Sequence, residues 1–208
     1  MKYIQQTAHL PLIMGSDGEG TRVYIDGAHG VHPDMRGHAG VMVTEGKGAI
    51  YASSTKNKLN TTSSTESEIV SVGEKLPKHM WYRKFRLAQG ENERIDRLMI
   101  RKKGEGKDIL YQDNESAILL ENNGRMSCGK GTRHIDIRYF YVTDMVAKDQ
   151  IRIVHCPTLE MIADFFTKPL QGKQFRKFRN MALGIHPEEW AAYFIQYMNA
   201  LKEFGLDK

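Results

Sequence analysis

The sequence predicts an α/β fold: a five-stranded mixed sheet flanked by helices, with a helical extension at the C-terminus. Three observations carry this reading. Apolar runs of strand type at residues 23–26, 38–44 and 49–54 follow one another closely, and the connector at 45–48 is short and Gly-containing, as a hairpin needs. Two later runs, 109–111 and 151–155, are separated by helical patterns, the spacing of parallel strands joined by crossovers. Two further helical patterns, 173–179 and 187–204, come after the last strand.

Taken in order, residues 1–20 read as a lead-in: apolar pieces around Tyr3 and Leu10, then a turn cluster from Gly15 to Gly20. The first strand ends on Asp26. After the third strand, the polar residues 61–64 open a helix near Thr65, with Ile69, Val72 and Leu76 on its apolar face. Pro77 is expected to break or kink this helix, leaving a second stretch at 78–88 in which Trp81 and Phe85 face the core. The charged residues 91–107 read as loop, with a short β-run at 98–100. The fourth strand ends at Asp113, and Asn114 or Glu115 opens a helix whose buried face is drawn from Ala117, Ile118, Leu119 and Leu120. A Gly-rich connector occupies 122–131, a helix 133–148, and a helix at 159–167 carries Asp164.

The bulk numbers bound the function. The chain has 208 residues, 40% hydrophobic and 26% charged, which is the composition of an ordinary globular domain. No run is long enough to span a membrane, and the first residues lack the apolar core of a signal peptide. An intracellular site, cytoplasmic or nuclear, is expected. Two cysteines, Cys128 and Cys156, give no disulfide framework. Neither forms a four-ligand zinc set with His134 or His155. A net charge of +5 favours an acidic partner, nucleic acid first.

The chemistry lies in carboxylates. Asp26 ends the first strand and Asp113 the fourth, Glu66 and Glu68 sit on the first helix, and Asp164 follows the fifth strand. Ligands and chemistry collect at the carboxyl ends of strands in open α/β sheets. Should the first and fourth strands be neighbours, their Asp residues meet, and the helix can add a Glu. Oxygen ligands without His or Cys suit Mg²⁺ or Mn²⁺. Glu66 and Glu68 lie about 200° apart around a helix. Glu68 borders the apolar face, whereas Glu66 stands three residues after Ser63, the spacing of a capping box.

Four motifs extend this reading. Ser63-Ser64-Thr65-Glu66-Ser67-Glu68, Tyr111-Gln112-Asp113-Asn114-Glu115-Ser116-Ala117, Thr132-Arg133-His134-Ile135-Asp136-Ile137-Arg138-Tyr139 and Ala163-Asp164-Phe165-Phe166-Thr167-Lys168-Pro169-Leu170 stand in that order. Together they resemble the ribonuclease H domain of copia-type LTR retrotransposon Pol polyproteins, whose patterns read SSTEAEY, DNQSA, TKHIDIRYH and AD-x-LTKPL. The resemblance covers about residues 1–185. It implies a ribonuclease H-like fold over 21–170, preceded by the end of a connection from an upstream reverse transcriptase (1–20) and followed by a basic helical tail (171–208). It also implies an endonuclease cutting the RNA strand of an RNA–DNA hybrid, with Asp26, Glu68, Asp113 and Asp164 holding two Mg²⁺ ions. The first motif departs from the family's S-D-A-D, since only Asp26 is available in Tyr24-Ile25-Asp26-Gly27-Ala28-His29. No His lies between Pro157 and Asp164, where many ribonucleases H carry one. Lys75, Lys78, Arg83, Lys84 and Arg86 are the expected contacts to nucleic-acid phosphates. The rival reading is a decayed or domesticated fragment that binds nucleic acid without cutting it.

Overall fold

The computed structural model describes residues 7, 9–91, 108–124, 136–186 and 190–203. The β-run expected at 98–100, the Gly-rich residues 125–131, Cys128 and His134 lie outside them. Three antiparallel strands come first: β1 (Arg22–Ala28), β2 (Arg36–Thr44) and β3 (Ala49–Asn60). Helix α1 (Ser64–Arg86) leads to β4 (Asp108–Gln112), then α2 (Glu115–Asn123), α3 (Asp136–Ala147) and β5 (Ile151–His155). A 3₁₀ turn (Ile162–Phe166), α4 (Gly172–Leu183) and α5 (Trp190–Glu203) complete the chain. The sheet order is β3-β2-β1-β4-β5, with β1–β4 and β4–β5 parallel.

Side-chain alternation divides the core into two layers. Val23 and Ile25 of β1, Val41 and Val43 of β2 and Leu110 of β4 pack against Val72, Leu76 and Met80 of α1 and Val142 and Met145 of α3. Tyr24 and Met42, one residue out of phase, meet Ile162 of the 3₁₀ turn and Phe178 of α4 on the other face. β1 is therefore covered on both sides, and four of its seven residues, Val23, Ile25, Asp26 and Gly27, are buried.

Pro77 does not break α1. The helix runs through it, with Pro77 exposed and with Leu76 and Met80 buried on either side. An interior Pro costs about 3 kcal/mol. Each buried apolar side chain returns about 1.5–3 kcal/mol, so docking both halves of one amphipathic face outweighs the lost hydrogen bond. Beyond Pro77 the helix is also tied electrostatically. Buried His79 places Nε2 2.8 Å from Asp108 Oδ2 at the start of β4, and Arg83 Nη1 lies 3.2 Å from the same oxygen. Burial raises the Asp108 carboxyl, but His79 and Arg83 outweigh it and hold the pKa below its ordinary value.

Because the helix is continuous, Trp81 falls off its buried stripe. It is 64% exposed and Phe85 47%, the two rings stacking on each other at 5.8 Å, which corrects their expected place in the core. Asp164 likewise sits on the 3₁₀ turn rather than on a regular helix. Part of the lead-in is joined to the domain: Ile13 N donates to Leu183 O at 2.8 Å, and Gly48 N to Ile13 O at 2.9 Å.

Candidate active site

Tyr24 and Tyr111 are register partners on parallel strands, and their rings stack at 4.7 Å. Two residues further along each strand the same face is presented again, so Asp26 and Asp113 emerge side by side. Asp113 lies just past β4 and Asp26 within β1, which runs on to Ala28 rather than ending on Asp26 as the sequence suggests. Two missing side chains let other elements approach. A Cβ on Gly27 would lie 2.6 Å from Ser67 O, so α1 crosses β1 with only a hydrogen between them. A Cβ on Gly40, the cross-strand partner of Asp26, would lie 2.8 Å from Ala163 O, so the 3₁₀ turn seats against the opposite face. The first approach brings in Glu68 and the second Asp164.

Ligand atoms of Asp26, Asp113 and Asp164 all lie within 4.8 Å of one another. Glu68 joins Asp26 and Asp113 in lining a cleft of about 690 Å³. Asp26 is 2% exposed and accepts a hydrogen bond from Thr167 Oγ1. Glu68 Oε2 accepts from Gln112 Nε2 at 3.2 Å. Glu66 turns away: its Oε2 accepts from the Thr62 backbone N–H and hydroxyl, both at 2.6 Å, while Ser63 Oγ caps Glu66 N at 3.1 Å. Asn114 caps α2 through Ala117 N, which leaves the Asp113 carboxylate for the cleft.

Crowded carboxylates resist ionisation. Burial, then the charges of Asp26 and Asp113, push Glu68 well above its ordinary value. Burial and Asp26 raise Asp113, and burial lifts Asp164 to about 6 against the pull of Lys168. Lys168 Nζ is 2.7 Å from Asp164 Oδ1 and 3.8 Å from Asp26 Oδ1. The donor set is all oxygen, and an ammonium already stands among it as a cation, so these residues fit a hard divalent ion.

Lys168 has a legible signal, its spacing of four from Asp164. His29 lines the same cleft, three residues after Asp26, with Nδ1 2.9 Å from Thr61 Oγ1. Gln112 and Glu121 have no such signal, since both read as ordinary polar positions. Glu121 on α2 is wholly buried, and neither carboxylate oxygen has a hydrogen-bond partner among the described residues. Burial pushes its pKa from 4.5 up to about 8. The folded state therefore holds a proton that the unfolded state loses first, and stability falls as pH rises between those two values. Glu121→Met is expected to remove that fall, stabilising the protein by about 1–3 kcal/mol at pH 8 and by less near pH 5. Urea melts at the two pH values check this; an equal difference at both would mean that Glu121 is not a buried acid.

The five expected phosphate contacts are not equivalent. Lys75 is buried and donates to Ser53 Oγ and Thr55 Oγ1. Arg83 pairs with Asp108, and Arg86 lies 2.8 Å from Glu45. Lys78 and Lys84 are exposed and flank Trp81 and Phe85. His155 ends the edge strand β5, exposed.

A carboxylate cluster where β1 and β4 run side by side, in a sheet ordered β3-β2-β1-β4-β5, is the arrangement of a ribonuclease H-like fold. The homologues of this protein are retrovirus-related Pol polyproteins from transposons. The chain is 25% identical over 187 residues to the one from transposon TNT 1-94 of Nicotiana tabacum, which covers 89% of this chain and 13% of the relative. It is 31% identical over 143 residues to the one from transposon RE1 of Arabidopsis thaliana, covering 67% of this chain and 9% of the relative. The chain thus spans a small part of the length of these relatives. No protein-family model matches it. Among solved structures it is similar to LC11-RNase H1 isolated from compost, with a TM-score of 0.47 and 15% identity over 70% of this chain and 91% of that one. Among the described residues no helix is long and apolar enough to cross a membrane.

Proposed function

We propose that this domain is a divalent-metal-dependent endonuclease that hydrolyses the RNA strand of RNA–DNA hybrids during retrotransposon reverse transcription. The observation that carries it is the convergence of Asp26, Asp113 and Asp164 within 4.8 Å, with Glu68 in the same cleft. These four carboxylates would hold a pair of divalent ions, Mg²⁺ or Mn²⁺, which when bound would supply water activation and positive charge toward the leaving oxygen.

The chain's own residues do the positioning. Thr167 fixes Asp26, Gln112 fixes Glu68, and the capped start of α2 fixes Asp113. The cleft is open, so a duplex can enter it from solvent. Lys78 and Lys84 offer phosphate contacts, and the Trp81–Phe85 pair a flat apolar surface, about 20 Å along α1 from Glu68 by the helical rise. The upstream partner in this reading is a reverse transcriptase in the same polyprotein, and the setting is intracellular.

The test is cleavage of labelled substrates. Internal cuts in the RNA of a hybrid are expected with Mg²⁺ or Mn²⁺, none with a chelator, and none in single-stranded RNA or duplex DNA. Tight hybrid binding without cleavage under any divalent ion would replace this reading with that of a non-catalytic nucleic-acid-binding fragment.

A further inference from the structure

The ammonium of Lys168 lies against two of the three clustered carboxylates. Its Nζ reaches Asp164 Oδ1 at 2.7 Å and Asp26 Oδ1 at 3.8 Å, and both of those carboxylates are buried. The cleft lining includes one other group able to carry positive charge, His29, whose Nδ1 is engaged with the Thr61 hydroxyl. An exposed pair four residues apart contributes little. This one differs because its acceptors are desolvated and lie in a crowd of like charge.

The backbone around Lys168 is fixed while its side chain has a way out. Lys168 N donates to Asp164 O at 2.9 Å, and Leu170 N to Lys168 O at 2.8 Å. The carboxylates are held independently, Asp26 by Thr167 and Glu68 by Gln112. The Lys168 side chain is 39% exposed and lines the cleft, so rotation about its stem carries the ammonium to the mouth without moving the chain.

We propose that Lys168 is a built-in competitor for the divalent ion, its ammonium and the metal occupying the carboxylate seat alternately. This rests on the metal-dependent reading above. The lysine keeps the metal-free site folded by neutralising its carboxylates. It also sets the ion concentration at which the site fills, because a hydrogen bond between charged groups must break first. Once displaced, the ammonium stays at the cleft mouth, where a phosphodiester arrives.

The test uses the whole 208-residue chain and Ca²⁺ or Mg²⁺ alone, read by calorimetry and by melting. Lys168→Met is expected to bind the ion about tenfold tighter or more, the scale of one charged hydrogen bond. It should melt lower than wild type without metal and gain more from metal, whereas Lys168→Arg, which keeps the cation, should behave like wild type. A second measurement needs no variant: acylation of Lys168 in the wild-type protein, followed by mass spectrometry, should speed up when the ion binds. Metal binding to wild type with equal or weaker affinity in Lys168→Met, or unchanged acylation on binding, overturns the competitor and leaves the metal site standing. Absence of binding to wild type and Lys168→Met alike overturns both.

Discussion

Asp113→Asn should abolish hybrid cleavage while leaving the protein folded and no less stable. Asp113 stands just past the end of β4, beside β1, and under the proposed function its carboxylate belongs to an oxygen cluster whose negative charge would hold a divalent ion. Losing even an outer-shell partner of a metal site costs about 10–100-fold, so removing a ligand's charge should exceed that in kcat. The stability sign runs the other way. Burial and the Asp26 charge raise the Asp113 pKa, so its ionised form is a burden to the metal-free fold, and that burden grows as pH rises past its ordinary value. Asn keeps the shape and removes the burden. The expected melting temperature at pH 7 is therefore equal to or above that of wild type. Undiminished cleavage by this variant would displace the proposed site altogether.

Why some of this site is legible in the sequence and some is not has a physical answer. Asp26 and Asp113 are readable because each follows an apolar strand run, although Asp26 itself lies buried within β1, which continues to Ala28. Their adjacency follows from the β1–β4 pairing, which the order of runs suggests and the register fixes. Trp81 falls outside its expected place because treating Pro77 as a break resets the helical phase, whereas Lys75, ahead of Pro77, is buried because Ser53 and Thr55 of β3 receive its ammonium. Read through Pro77, the stripe Ile69, Val72, Leu76, Met80 continues, with Glu68, Lys75 and His79 along its border and Trp81 outside it. All three border residues are buried, and each finds a polar partner there: Gln112, Ser53 and Asp108 respectively. Glu121 is illegible because burial of an acid without a hydrogen-bond partner among the described residues contradicts every local preference. Its position follows only from how α2 packs on α1 through Ala117 and Ile69.

Under the proposed function, the same border selects Glu68 rather than Glu66 as the glutamate of the site. Glu68→Gln should abolish cleavage, and Glu66→Gln should cut as wild type does. The two side chains leave the helix about 200° apart, and the structure shows where each goes. Glu68 enters the cleft beside Asp26, held by Gln112, and burial with the neighbouring charges raises its pKa. Gln at 68 therefore relieves repulsion in the metal-free protein while removing a charge that the ion requires, so activity should vanish without loss of melting temperature. Glu66 instead accepts two hydrogen bonds from Thr62 at the first turn of α1, where its charge also suits the helix N-terminus. Gln there keeps one acceptor oxygen and loses the charge, a cost of about 1 kcal/mol or less. Melting and hybrid cleavage measured on both variants separate the two roles. Activity lost at 66 and kept at 68 would mean that α1 is turned by half a revolution from its place over Gly27, and that the close approach of Ser67 to β1 is not what delivers the fourth carboxylate.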